Sequence, residues 1–407
     1  MQKLTNQEKM KPWMGFVLFF VGVLFLLFAG SYMQSNWGIP GLILTEIGFL
    51  AISVIYCLIR KVSLKEVFPI KKITVRDFFG TIFMFAGGFL LNLVCAGISM
   101  FILELLGNKD ALSEAASLND FLYGNQMLYF LVVLVVAVTP AICEEAIMRG
   151  AILSSFRGLK SDKLIIFIVG VMFGILHLSP LRFLNTACLG MILAYLMVKK
   201  NNILLPMLLH FLNNFLSSIV GAGADVSGEQ IDAAVNSIST SMTLGAMLTA
   251  GFLCPLLLVI GAKLLDKEGV KGKHFAIAGI LSALMFATGI VILVISSLNG
   301  LYKNALLNWN YTYQVTEETM ECENLAEAGI DITEEKTYSI IVSSTASKAE
   351  ITFTMVDEDG NEIISKSGSG MLVVSENIEL APGHYDLYFT GGEDMVGKMF
   401  SYQVIVQ

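Results

Sequence analysis

Nine apolar stretches, each near or above the roughly 20 residues that a helix needs to cross a bilayer, constrain this chain more than any other feature. They run over 13–33, 38–59, 78–106, 126–157, 164–180, 183–198, 203–221, 242–264 and 275–298. Hydrocarbon offers the backbone no water to bond, so stretches of this kind fold as helices. Composition agrees. Of 407 residues, 55% are hydrophobic and 15% charged, against about 25% charged in an average soluble domain. An ordinary cytosolic enzyme, a disordered chain and a secreted disulfide scaffold are excluded. The first stretch follows Lys3, Lys9 and Lys11, as a signal peptide would, but no small-x-small cleavage site follows it, and it reads as a retained helix. The expectation is an all-α polytopic membrane helix bundle of about nine spans over residues 1–300. The fifth and sixth spans are short, and the link Ser179-Pro180-Leu181-Arg182 between them is tight.

Loop charge sets the orientation. Arg60, Lys61, Lys65, Lys71, Lys72 and Arg76 fill one loop. Arg157, Lys160 and Lys163 follow the fourth span, Lys199 and Lys200 the sixth, and Lys263, Lys267, Lys271 and Lys273 the eighth. The loops 107–125 and 222–241 are acidic or neutral. All basic loops share one side if the N-terminus is cytoplasmic, and nine spans then put residue 300 onward outside. The expected location is a multi-pass protein of the cell membrane. Residues 301–407 hold 5 Lys and 18 Asp or Glu, a net charge of −13, so the remainder is at +5. Period-2 runs over 337–344, 350–356, 371–380, 384–390 and 400–406, divided by turn signals at 359–361, 368–370 and 381–383, predict a small antiparallel β-sandwich over 310–407. No basic tract interleaved with aromatics is present, so nucleic acid is not an expected partner. Five of the six cysteines sit one to an apolar segment, without CxxC spacing, and behave as small hydrophobes.

Ionisable side chains deep in membrane segments mark function by default. Three clusters qualify: Cys143-Glu144-Glu145-Ala146-Ile147-Met148-Arg149, Phe173-Gly174-Ile175-Leu176-His177, and His210-Phe211-Leu212-Asn213-Asn214. Glu145 and Arg149 stand i,i+4 with the acid N-terminal, the favourable order for an ion pair. Glu144 lies about 100° around the helix and is the freer carboxylate. His210 and Asn214 also share a face. Counted from the basic helix ends at about 1.5 Å per residue, Glu144 lies ~20 Å deep, His177 ~21 Å and His210 ~15 Å. Each cluster alone reads equally well as helix–helix packing; three at one depth point to a single buried polar site. Glu46 and Asn92 stand alone in their spans and read as structural, as do the abundant Met and Phe.

Glu-Glu-x-x-x-Arg, Phe-x-x-x-His and His-x-x-x-Asn on successive membrane helices resemble the CPBP family, the CAAX proteases and bacteriocin-processing (Abi) proteins related to the type II CAAX prenyl endopeptidase. The resemblance covers about 120–222. It implies an intramembrane endopeptidase acting on a protein or peptide substrate within the lipid bilayer. It implies Glu144 as the carboxylate that activates water, His177 as its partner, and His210 with Asn214 as stabilisers of the oxyanion. Pro140, one turn before Glu144, removes a helix hydrogen bond and opens space there. Two His and a Glu are a normal catalytic zinc set, so zinc, if used, would be held by Glu144, His177 and His210. HExxH is absent, however, and the family has been described both as metalloproteases and as metal-independent glutamate proteases. A non-catalytic immunity or scaffold protein of the same fold, and a proton-coupled transporter, are the competing readings. The lack of inverted repeat halves speaks against the transporter.

Overall fold

The apolar stretches do form helices. The computed structural model describes residues 9–107, 131, 133–223, 240–303, 305–320 and 324–407, and among these it separates into two units, Met1–Leu293 and Val294–Gln407. The principal helices are α1 (Pro12–Trp37), α2 (Ile39–Arg60), α3 (Val75–Leu105), α4 (134–156), α5 (Asp162–Leu176), α6 (Pro180–Lys200), α7 (Leu204–Gly223) and α8 (Thr240–Leu265) in the first unit, and α9 (Gly272–Lys303), whose last residues from Val294 fall in the second. Starts are marked by local chemistry. Thr74 and Asp77 form a reciprocal capping box at α3, Ser179 caps α6 ahead of Pro180, and Pro stands in the first turn of α1, α2 and α6.

Among the described residues six helices are long and apolar enough to cross a membrane, α1, α2, α3, α6, α8 and the 272–298 stretch of α9. The expected count of nine is not confirmed among the described residues. The stretch 126–157 begins outside the described residues, and its described part is broken by two π-helical segments. Helix α5 has 15 residues, about 22 Å of rise, short of a hydrocarbon core of about 30 Å. The boundary between the two central stretches also moves. Helix α5 stops at Leu176, His177 is its C-cap, and α6 starts at Pro180 and runs 21 residues, so the sixth stretch is not short.

The basic loops meet at one end of the bundle. Lys200 pairs with Asp77 at 2.6 Å and Lys199 with Asp162 at 3.2 Å. Arg157 donates to Asn201 Oδ1 and Arg76 to the Lys263 carbonyl. The Asn202 side chain bonds both the N–H and the C=O of Lys71. These contacts tie the segment ahead of α3 to the turn between α6 and α7, and so fix the height at which α7 enters.

The second unit is one six-stranded antiparallel sheet: β1 (Leu307–Gln314), β2 (Ala326–Ile332), β3 (Lys336–Asp357), β4 (Glu362–Leu380), β5 (Gly383–Gly391) and β6 (Met399–Val406). The order is β1-β6-β3-β5-β2, with β4 along the other edge of β3. Residues 340–346 of β3 pair with β6, and 351–357 pair with β5. The β3–β4 ribbon therefore carries both halves. It gives a single bent sheet, close to a barrel in shape, where two separate sheets of a sandwich were expected. The turn signal at 368–370 lies inside β4. Gly370 (φ +77°) sits across from Lys348 (φ +57°), where the β3–β4 register shifts, and there the ribbon bends. One core, including Ile340, Phe353, Phe389, Phe400 and Val404, fills the concavity.

Candidate active site

Helix α4 is irregular where the chemistry sits. It passes from a π segment (Leu134–Val138) through an α turn (Thr139–Glu145) into a second π segment (Ala146–Ile152). Such bulges shift the register of side chains and recur at functional sites. Pro140 explains part of this. It has no N–H to give the carbonyl of Val136. The side-chain amide of Asn214 supplies that hydrogen bond instead, at 3.0 Å. Pro140 on α4 is thus paired in function with Asn214 on α7.

Arg149 is wholly buried and anchors the site. One guanidinium nitrogen donates to Glu145 Oε1 at 2.8 Å, another to the Gly190 carbonyl at 3.2 Å, and the group lies 4.4 Å from the centre of the Phe173 ring. Gly190 is needed for the approach. A Cβ there would stand 2.8 Å from the Phe173 Cβ and 3.0 Å from the Gly170 backbone. Glu145, also wholly buried, accepts a second bond on the same oxygen, from His210 Nδ1 at 2.9 Å. A carboxylate held by Arg149 only accepts, so His210 carries its hydrogen on Nδ1 and leaves Nε2 bare. That Nε2 is 3.9 Å from Glu144 Oε2, outside hydrogen-bond range. Glu144 Oε2 has no hydrogen-bond partner in the protein, and its side chain, 13% exposed, is the more open of the two acids.

His177 ends α5 and donates from Nδ1 to the Phe173 carbonyl at 2.9 Å, which leaves its Nε2 bare as well. Both imidazoles meet the Phe173 ring edge-on, His177 at 4.9 Å and His210 at 5.7 Å between centroids. Leu178, next to His177, holds a left-handed φ of +52°, which is uncommon for a branched side chain. The chain turns there within the bundle, before Ser179 caps α6. Asn214, a turn beyond His210, accepts from Asn213 Nδ2, and Asn213 accepts from Asn92 Nδ2 on α3 at 2.8 Å.

Of the residues singled out in sequence, Glu144, Glu145, Arg149 and His210 meet directly. His177 joins them through Phe173, and Asn214 through the α4 backbone. Two bare imidazole nitrogens and a carboxylate are donors of zinc's kind. Among the described residues, however, no three His, Cys, Asp or Glu side chains converge as a metal requires, and no step below is routed through one. Asn92 and Glu46 read in sequence as structural residues standing alone in their spans; Asn92 is in fact joined to the Asn213–Asn214 chain. Glu46 is 5% exposed and one of its oxygens lacks a hydrogen-bond partner. A hint was available: a polar side chain alone in an apolar span needs some partner.

No curated protein and no solved structure matches the chain. Residues 126–216, which carry every residue of the three sequence clusters, match the family model described as Type II CAAX prenyl endopeptidase Rce1-like, and this match supports the likeness to the CAAX-protease (CPBP) family.

Proposed function

We propose that the protein is an intramembrane endopeptidase that cleaves a membrane-associated or lipidated protein or peptide, with Glu144 as general base. The observation that carries this reading is the open Glu144 carboxylate facing the bare Nε2 of His210, whose other nitrogen is held by the Glu145–Arg149 pair. In the proposed sequence Glu144 takes a proton from water, and the hydroxide attacks the scissile carbonyl carbon. The C–N bond then breaks as Glu144 returns the proton to the leaving nitrogen. His177 orients the water through Nε2. His210 takes a proton on Nε2 from solvent before the attack and returns it to solvent after the products leave; in between it faces the oxyanion as a donor, its charge balanced by the Glu145 carboxylate. One amide hydrogen of Asn214 is committed to Val136; the second is the one left for the oxyanion.

The family description makes a prenylated peptide with a C-terminal CAAX sequence the first probe. Purified protein in bilayers should cleave such a peptide, or one found by comparing membrane proteomes of wild type and Glu144→Gln. Glu144→Gln should lower kcat by about 10²-fold or more, as loss of a general base does, with the protein still accumulating. Full activity in purified Glu144→Gln would overturn the assignment.

A further inference from the structure

Three carboxamides from two helices line up head to tail beside the site. Asn92 Nδ2 of α3 donates to Asn213 Oδ1 of α7 at 2.8 Å, and Asn213 Nδ2 donates to Asn214 Oδ1 at 3.1 Å. Asn214 Nδ2 in turn donates to the Val136 carbonyl of α4 at 3.0 Å. Every donor points the same way, from α3 toward the bulge of α4. Asn92 stands first, in the apolar run Phe89-Leu90-Leu91-Asn92-Leu93-Val94-Cys95, and is the one carboxamide of α3. Its Oδ1 is buried and accepts no hydrogen bond from the protein. A side chain that served only to pack α3 against α7 would be better without that unsatisfied oxygen. What Asn92 supplies is the donor.

We propose that Asn92 is a positioning residue. By donating to Asn213 it sets the direction of the chain, and so holds the Asn214 carboxamide in the orientation that aims its second amide hydrogen at the oxyanion. The inference rests on the reading of Asn214 as an oxyanion donor, and Asn92 lies outside the segment that matches the family model. A carboxamide has an accepting end and a donating end of nearly equal size, so its neighbours decide which way it faces. With Asn92 Nδ2 before it, the buried Asn213 turns its oxygen to α3 and its nitrogen to Asn214. Turned over, it would set nitrogen against nitrogen at Asn92 and oxygen against oxygen at Asn214. Asn214 is thereby held at both ends, Oδ1 by Asn213 and one hydrogen of Nδ2 by Val136. Among the described residues its second hydrogen alone is uncommitted. Donation into Oδ1 also polarises the amide and strengthens its remaining N–H as a donor. Without the Asn92 donor, Asn213 Oδ1 is left buried and unpaired, and Asn213 turns to other partners and releases Asn214.

Asn92→Leu keeps the bulk of the side chain and removes the donor. With the prenylated CAAX peptide as probe and purified protein in bilayers, Asn214→Ala should lower kcat about 10²-fold or more, as loss of an oxyanion donor does. Asn92→Leu should lower kcat about tenfold with KM within about twofold of wild type. In the Asn214→Ala background the same Asn92→Leu change should cost less than about twofold, because Asn92 acts only through Asn214. Wild-type kcat in Asn92→Leu would overturn the proposal. So would an equal loss with Asn214 already replaced, which is what a packing role gives. An NMR arm needs no substrate. In protein isotope-labelled on asparagine side-chain nitrogen, the Asn214 signal, identified by its loss in Asn214→Ala, should move in Asn92→Leu. Asn92→Ala gives the same readings if Asn92→Leu does not accumulate. If wild type leaves the probe uncut, or Asn214→Ala keeps wild-type kcat, the functional reading fails while the spectrum still decides whether Asn92 holds Asn214. An Asn214 signal unmoved in the Asn92 variant defeats the proposal, whatever the activity.

Discussion

Arg149 shows how much of this site rests on one side chain. Its guanidinium holds Glu145 and the Gly190 carbonyl and covers the face of Phe173, and through Glu145 it fixes the tautomer of His210. Arg149→Ala would leave the wholly buried Glu145 without its counter-ion, held by His210 alone, a loss of about 3–5 kcal/mol. We expect Arg149→Ala to lower protein yield in the membrane far more than Glu144→Gln, and Arg149→Lys to fall between them, since an ammonium cannot reach both acceptors in one plane. Equal yields of the Ala and Gln variants, by quantitative blotting of membranes, would show that the pair is not structural. This ion pair was legible because i,i+4 spacing is local. The Asn92–Asn213 hydrogen bond was not, because the two residues are 121 positions apart and nothing in a sequence states which helices lie side by side.

At the scale of elements, the departures from regular helix carry the site. Pro140 leaves the Val136 carbonyl without its N–H, and Asn214 reaches across from α7 to fill the gap. Sequence pattern exposed the missing hydrogen bond but not who replaces it. Pro140→Ala would restore an N–H able to bond that carbonyl and let α4 relax toward regular α geometry. We expect this variant to be as stable as wild type or more so in thermal melts, since proline inside a helix costs about 3 kcal/mol. Its kcat should fall about tenfold as Asn214 is released and Glu144 is turned. Pro140→Ala with wild-type kcat would mean that the bulge does not serve catalysis. Helix existence was readable from hydropathy, whereas ends were not: α5 stops at His177 because the chain turns through the left-handed Leu178, which no periodicity reveals. In the sheet, alternation located the inner parts of β3 to β6. It broke β3 in two, because a bend at Lys348 opposite Gly370 looks in sequence like the end of a strand.

For the whole molecule, the end of the bundle at which the basic loops meet sets the sidedness. The contacts of Lys200 with Asp77, Lys199 with Asp162, Arg76 with the Lys263 carbonyl, and Arg60 with the Lys9 carbonyl gather the start of α1, the ends of α2, α6 and α8 and the starts of α3 and α5. Lysine and arginine near helix ends favour the cytoplasmic face, so we propose that this end is cytoplasmic. Helix α9 starts at Gly272, just after α8 ends at Leu265 in this basic cluster, and its apolar stretch of 27 residues rises about 40 Å, enough to cross a core of about 30 Å. The acidic residues from 305 onward then lie outside the cytoplasm. Only one crossing, that of α9, separates the basic end from residue 305, so the proposed placement is the same whether or not the 15-residue α5 crosses fully. An epitope after Gln407 should be cut by protease added to intact cells, and an epitope before Met1 should survive until the cells are lysed. The reverse pattern would place the basic end outside, against its charge. Protection of both epitopes would mean that α9 does not cross.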